Sequence, residues 1–344
     1  MSSFVYTEPI RLAQIGVGYW GRNLLRNFAT LPGAELIWAC DTRESARNEA
    51  AQNHSGTPTT GRVEDVLDDD TVEAVVIATE TPQHFPLAEA ALRAGKHVFV
   101  EKPLTQTADQ AERLVALAAE ADRRLMVGHL LRYHPAYRHI ERLIHEGDLG
   151  EIRYLYSVRV NLGIVRQREN AFESLAPHDL AAALAMIDSP PVGVAAQGHA
   201  YLQSGIEDVV FATVFFENGA LAHLHTSWLD PHKVRKTTVV GSRRMAVVDD
   251  MAPAEQVRLY DKGAEVTSEE GYTGYAGAVS VRSGNIVIPK LEAAEPLRLE
   301  CEEFLASIRE GRTPRTDGRR GLAVVRLLEA ARRSLDAGGS RVRL

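Results

Sequence analysis

Between the apolar run Leu12-Ala13-Gln14-Ile15 and the helical-looking run from Asn23 to Phe28 the chain reads Gly16-Val17-Gly18-Tyr19-Trp20-Gly21, and the next apolar run, Glu35 to Cys40, closes on Asp41. A GxGxxG turn set between a strand and a helix admits few folds. Gly16 and Gly18 permit a tight turn and a close approach of backbone N–H groups to a pyrophosphate, Gly21 lets helix and strand pack, and the helix N-terminus favours the phosphate charge. Tyr19 and Trp20, inside the turn, are candidate cofactor contacts. At the end of a second strand the Asp41 carboxylate accepts hydrogen bonds from the adenosine ribose and repels a 2′-phosphate, which favours NAD. Thr42 and Arg43 follow it, and the Arg43 guanidinium leaves NADP open.

At 344 residues the chain exceeds one typical core and suits two domains. Its 45% hydrophobic and 25% charged residues are those of an ordinary soluble protein without low-complexity stretches. No apolar run spans a bilayer, and Met1 to Pro9 lacks the regions of a signal peptide, so a cytoplasmic protein is expected. Cys40 and Cys301, in an apparent strand and helix, read as buried free thiols. A net charge of -7 argues against nucleic acid and points to a small metabolite.

From Ile10 to about His129, apolar strand-like runs alternate with helical stretches, which predicts a doubly wound parallel sheet with helices on both faces, a Rossmann domain over residues 1–129. Residues 130–344 then form a substrate-binding and oligomerisation domain of α+β class. Its period-two runs, Ile152 to Val160, Asp208 to Phe216, Ala220 to Trp228 and Thr237 to Val248, predict a large, mostly antiparallel open sheet. Asn218-Gly219 signals a hairpin with a primed turn, and a meander is the simplest connection. Asn170 to Ile187 has helical spacing, and the tail from Leu299 to Asp336 holds two helical segments that suit either domain.

Directly after the strand from His97 to Val100 come Glu101-Lys102-Pro103, at the carboxyl end where doubly wound sheets bind ligands. A lysine desolvated there exchanges a proton near neutral pH, which makes Lys102 the first candidate for acid–base work. Together with the glycine turn and Asp41, the residues Ala78-Thr79 followed by His84, Glu101-Lys102-Pro103 and Pro177-His178-Asp179 resemble the Gfo/Idh/MocA oxidoreductases over essentially the whole chain. The resemblance implies a Rossmann domain followed by an open-sheet domain, and hydride transfer between NAD(P) and a sugar or cyclitol hydroxyl. It assigns catalysis to Lys102 and His178 and adds Thr79, His84, Glu101 and Lys102 to the cofactor contacts. Gly128 to Pro135, Ala176 to Asp179, Ile206-Glu207-Asp208 and Ser227 to Pro231 are similar to a nucleotide-sugar branch that includes UDP-N-acetylglucosaminuronate 3-dehydrogenases, which implies oxidation at C3 of a UDP-linked aminosugar acid.

One position departs from the family. An aspartate commonly stands four residues before this histidine, on the same helical face, whereas this chain has Ser174 there, with Glu173 beside it and Asp179 as a possible compensation from outside that face. Arg159, Asn161, Arg166, Arg168 and Asn170 offer donors to a phosphate or carboxylate, with Tyr133, His134 and Tyr137 as further candidates for the substrate cleft. His223 and His225 share one side of a strand but lack a third ligand, so no metal is expected and the face suits a second subunit in a homodimer or homotetramer. The leading reading is an NAD-dependent sugar dehydrogenase. An NADPH-dependent ketosugar or imine reductase, and a non-catalytic nucleotide-binding sensor or scaffold, remain as alternatives.

Overall fold

The computed structural model describes residues 8–266 and 279–344, so the N-terminal residues 1–7, part of the segment read as lacking a signal peptide, lie outside the described residues. The alternating N-terminal runs form β1 (Ile10–Ile15), α1 (Gly21–Thr30), β2 (Ala34–Cys40), α2 (Glu44–Asn53), β3 (Thr59–Thr60), α3 (Glu64–Leu67), β4 (Ala74–Ile77), α4 (His84–Arg93), β5 (His97–Glu101), α5 (Ala108–Glu120) and β6 (Leu125–Gly128). The strands pair in parallel in the order β3-β2-β1-β4-β5-β6. β4 and β6 are buried at every position, as strands covered on both faces must be. Strand order reverses beside β1, and both the glycine turn and Asp41 sit at carboxyl ends next to that switch point.

The second half opens with α6 (Pro135–His145), β7 (Ile152–Val160) and α7 (Ala171–Met186), followed by β8 (Pro191–His199), β9 (Val209–Phe216), β10 (Leu221–Ser227), β11 (Val234–Gly241), β12 (Met245–Asp249), β13 (Val257–Val266) and β14 (Val279–Val287). The run from Thr237 to Val248 is thus two strands. The expected hairpin joins β9 to β10, with Gly219 at φ 85° and the Asn218 Oδ1 accepting the Ala220 N–H at 3.0 Å; Asn218 keeps a negative φ, so the turn is not of type I′. The sheet runs β14-β13-β12-β11-β7-β10-β9-β8-β15, where β15 is Val342–Arg343. It is mostly antiparallel, but it is not a meander: β7 lies between β11 and β10 and pairs with β10 in parallel. α7 covers one face, packing on β7, β9 and β10.

The tail supplies α8 (Pro296–Arg309) and α9 (Gly318–Asp336). The chain divides into two compact units, one of residues up to Tyr133 plus Ala294–Arg326, the other of His134–Ala293 plus Leu327–Leu344. This corrects the contiguous second domain over 130–344, because α8 completes the core of the first unit. Leu297, Cys301, Phe304 and Leu305 pack with Phe28 of α1 and Phe99 of β5, where the three phenylalanine rings meet edge to face at 5.7–6.5 Å.

Candidate active site

The glycine turn is cut to leave no room for side chains. Gly16 has φ 90°, and a Cβ there would stand 2.5 Å from the Ala78 carbonyl oxygen; a Cβ on Gly21 would collide with the Gly16 carbonyl. Gln14, a polar residue buried in β1, ties the loop shut by donating its amide to the carbonyls of Gly16 at 2.9 Å and Gly21 at 2.7 Å. α1 has no side-chain cap, so its N-terminal end suits a pyrophosphate. Tyr19 is exposed with the Arg22 guanidinium over its ring, and Trp20 is partly exposed.

Asp41 is buried at the end of β2. Its Oδ2 accepts the Val17 N–H at 3.1 Å and the Arg43 Nη2 at 3.2 Å, while Oδ1 accepts the Arg43 backbone N–H at 3.0 Å and Nε at 3.2 Å. Burial opposes the charge, but these bonds to Arg43 and Val17 hold the carboxyl below its usual range. Arg43 itself lies over Gly18, whose missing side chain makes the room, and Thr42 is exposed beside it. This glycine cradle with an ionised acceptor fits a dinucleotide.

A second cluster gathers at the ends of β4, β5 and β6. Glu101 is buried; its Oε1 accepts the Trp20 indole N–H at 2.5 Å and its Oε2 the Lys102 backbone N–H at 3.1 Å. Its carboxyl rests against Gly128, where a Cβ would lie within 3.0 Å. Burial pushes Glu101 up to about 7, against the indole bond and the Lys102 charge. His84, also buried, places Nδ1 2.8 Å from the Pro103 carbonyl and Nε2 3.1 Å from the Thr79 carbonyl, so one imidazole joins the loop after β4 to the turn that carries Lys102. Trp20, Thr79, His84, Glu101 and Lys102 are therefore brought together.

In the second unit, Ser174 and His178 lie one helical turn apart on a half-buried stripe of α7. Asp179 faces the other way. It accepts the Ser157 hydroxyl at 2.8 Å and both Nε (2.5 Å) and Nη2 (3.1 Å) of Arg159, and both side chains of this ion pair are shut from solvent. Burial works against the Arg159 charge, but Asp179 outweighs it and holds the guanidinium protonated. Arg159 and Asp179 are thus committed to each other, and the Asp179 carboxylate lies off the face that carries Ser174 and His178.

Other expected substrate residues are likewise engaged in the fold. Asn170 caps α7 in a capping box with Glu173 and donates to Glu207 at 2.8 Å. His134 caps α6 and sets its Nε2 3.2 Å from Asp250. Tyr133 is buried with its hydroxyl 2.8 Å from Thr316 Oγ1, and Tyr137 bonds Thr237 at 2.9 Å. Tyr133, His134, Tyr137, Arg159 and Asn170, expected along the substrate, thus each hold a bond within the fold. Asn161 is half-buried, and Arg166 and Arg168 are exposed on the loop before α7, Arg166 standing 3.6 Å from Glu169. The same loop exposes Leu162 and Ile164.

His223 and His225 share the uncovered sheet face with Tyr154, Tyr156 and Phe211; His223 bonds Thr213 at 2.9 Å and His225 stacks on Phe211 at 4.3 Å. Among the described residues no three His, Cys, Asp or Glu side chains gather as a metal site. Two residues escaped the sequence reading. Gln14 had a signal, a lone amide inside an apolar strand; Glu300, fully buried in α8, had none among its acidic neighbours.

A strand-end cradle for NAD with a lysine beside it defines a nucleotide-dependent oxidoreductase. The oxidoreductase family with NAD-binding Rossmann fold, Gfo/Idh/MocA, matches residues 10–129, and the C-terminal domain of the same family matches residues 137–247. The chain belongs to this family and is an NAD(P)-dependent dehydrogenase acting on CH–OH groups. It is 28% identical to UDP-N-acetylglucosamine 3-dehydrogenase of Acidithiobacillus ferrooxidans over 92% of this chain and 94% of that one. The solved structure of that enzyme, GnnA, superposes with a TM-score of 0.81 over 96% of this chain and 99% of its own. The chain is also 24% identical to the NAD-dependent scyllo-inositol 2-dehydrogenase of Bacillus subtilis over 89% of this chain and 88% of that one.

Proposed function

We propose that the protein oxidises the C3 hydroxyl of a UDP-linked aminosugar with NAD, or runs the reverse reduction. The observation that carries this reading is the strand-end cluster, in which Trp20 of the glycine turn and His84 of the neighbouring loop fix the Glu101-Lys102 turn. The glycine cradle and Asp41 hold the dinucleotide, whose nicotinamide supplies the two-electron acceptor. Lys102, unprotonated, takes the proton: the substrate O–H bond breaks as an N–H bond forms on Nζ, while hydrogen leaves the same carbon with its electron pair. His178 is the second hydrogen-bonding group toward the substrate, and Ser174, uncharged, shares its stripe.

The similarity to a dehydrogenase of UDP-N-acetylglucosamine, whose sugar ring carries no carboxylate, and the commitment of Arg159 to Asp179, favour a neutral sugar over a sugar acid; Asn161, Arg166 and Arg168 are proposed as donors to the diphosphate. Arg43 supports a second reading, NADP use, because its guanidinium already screens Asp41. The cytoplasm, where nucleotide sugars and NAD are held, is the compartment this function entails. A second copy of the chain covers the open sheet face to give a homodimer or homotetramer.

The test is reduced-nicotinamide absorbance after mixing protein and NAD with UDP-N-acetylglucosamine, its uronate and free sugars. Turnover on the first, lowered about 10²–10⁴-fold by Lys102→Ala with NAD binding kept, is the expected result. Turnover of the uronate alone would move the substrate to the acid, and NAD binding without turnover on the panel would sink the reading.

A further inference from the structure

Glu300 is fully buried, and neither of its carboxyl oxygens has a hydrogen-bond partner among the described residues. A carboxylate stripped of water and donors is costly, so such a group persists as the neutral acid. Its position is defined by the packing around it. On α8, Glu300 stands three residues after Leu297 and four before Phe304, on the stripe that faces the sheet. On β5, Glu101 stands two residues after Phe99 and shares its face. The Phe99 and Phe304 rings meet at 5.7 Å, so the two carboxyls belong to the facing surfaces of one strand and one helix, and the Glu101 charge adds to burial in raising Glu300.

The two differ in what surrounds them. Glu101 accepts two N–H donors, from Trp20 and the Lys102 backbone, and Glu300 accepts none. We propose that Glu101 and Glu300 hold one proton between them, resting on Glu300, and that Glu300 thereby acts as a positioning residue that fixes the charge beside Lys102. This rests on the reading of Lys102 as the base. When Lys102 Nζ takes the substrate proton, the new ammonium is met by the Glu101 carboxylate, and the Glu300 proton stays in place.

The titratable groups around Glu300 and Lys102 leave this balance intact. Burial, with Arg132 and Lys102, pushes His129 down to about 3, so it is neutral. Burial pushes the Cys301 thiol and the Tyr133 phenol up, so both are neutral as well. Arg26 on α1 is engaged by Glu295 at the start of α8. Lys102 is the cation that acts on Glu101, and Glu101 is the anion.

Infrared spectroscopy of the NAD-loaded protein tests the proton directly. At pH 8, above the value of about 7 to which burial raises Glu101, a buried carboxylic-acid C=O band is expected in the wild type, absent in Glu300→Gln and kept in Glu101→Gln. In parallel, with UDP-N-acetylglucosamine as substrate, the rising limb of kcat against pH is expected to move toward acid in Glu101→Gln, which removes the charge beside Lys102, and to stay in place in Glu300→Gln, which replaces one neutral group by another. An absent wild-type band, or one that persists in Glu300→Gln, would overturn the proposal. Lys102→Ala that kept full turnover would instead refute the base assignment while leaving the infrared result intact.

Discussion

Asp41 meets its ligand already engaged, with Arg43 on both of its oxygens. Ribose hydroxyls and the guanidinium therefore compete for one carboxylate. Asp41→Asn is expected to weaken NAD binding about tenfold, roughly 1.4 kcal/mol, and to improve NADP relative to NAD, as read by nicotinamide fluorescence titration. The Glu101–Glu300 pair makes a prediction about stability. Burial raises both carboxyls above the ordinary glutamate value of 4.5, Glu101 to about 7, so the folded state binds more protons than the unfolded chain in that interval. Stability from the pair is then fully present below about 4.5 and is lost as pH rises through about 7. Urea melts should show Glu300→Gln gaining on the wild type across that interval; a constant difference would contradict it. Ser174→Asp returns a carboxylate to the stripe of His178, and an NMR titration of that imidazole is expected to move up by about one unit.

Helix α7 illustrates what a sequence pattern carries and what it does not. Its bounds were legible from the helical spacing over Asn170 to Ile187, and the structure places the helix at Ala171–Met186. Period-two runs likewise marked β7, β9 and β10 as strands. They carry no neighbour list, so the parallel pairing of β7 with β10 was out of reach, and so was the role of Arg159, whose partner lies 20 residues away across a strand-to-helix packing. In sequence Arg159 is one arginine among several; in the fold it is a buried ion. Removing one member leaves the other uncompensated, so Asp179→Asn is expected to destabilise by about 3–5 kcal/mol, checked by thermal melting against a smaller effect for the exposed Arg166→Ala. The glycine turn and Glu101-Lys102 were readable because their chemistry is local. Glu300 was not, because its partner Glu101 is about two hundred residues away in the chain and its neighbours Glu295, Glu302 and Glu303 look the same in sequence.

The open sheet leaves Tyr154, Tyr156, Phe211 and Leu221 exposed on one face, with Leu221 opposite Tyr154, His223 opposite Tyr156 and His225 opposite Phe211. Single exposed apolar residues are ordinary, but a contiguous set on a flat sheet suits a partner surface. The double change Tyr156→Asp with Phe211→Asp is expected to yield a monomer by light scattering, and an unchanged mass would place the interface elsewhere. The first unit has a feature of another kind, since it is assembled from two separated stretches, residues up to Tyr133 and Ala294–Arg326. A ribosome delivers the first stretch long before the second, and until α8 emerges the apolar surface around Phe28 and Phe99 has no cover. The nascent nucleotide-binding half must therefore wait for nearly the whole polypeptide, so truncated transcripts would release a sticky fragment, and co-translational chaperones have a defined surface to guard.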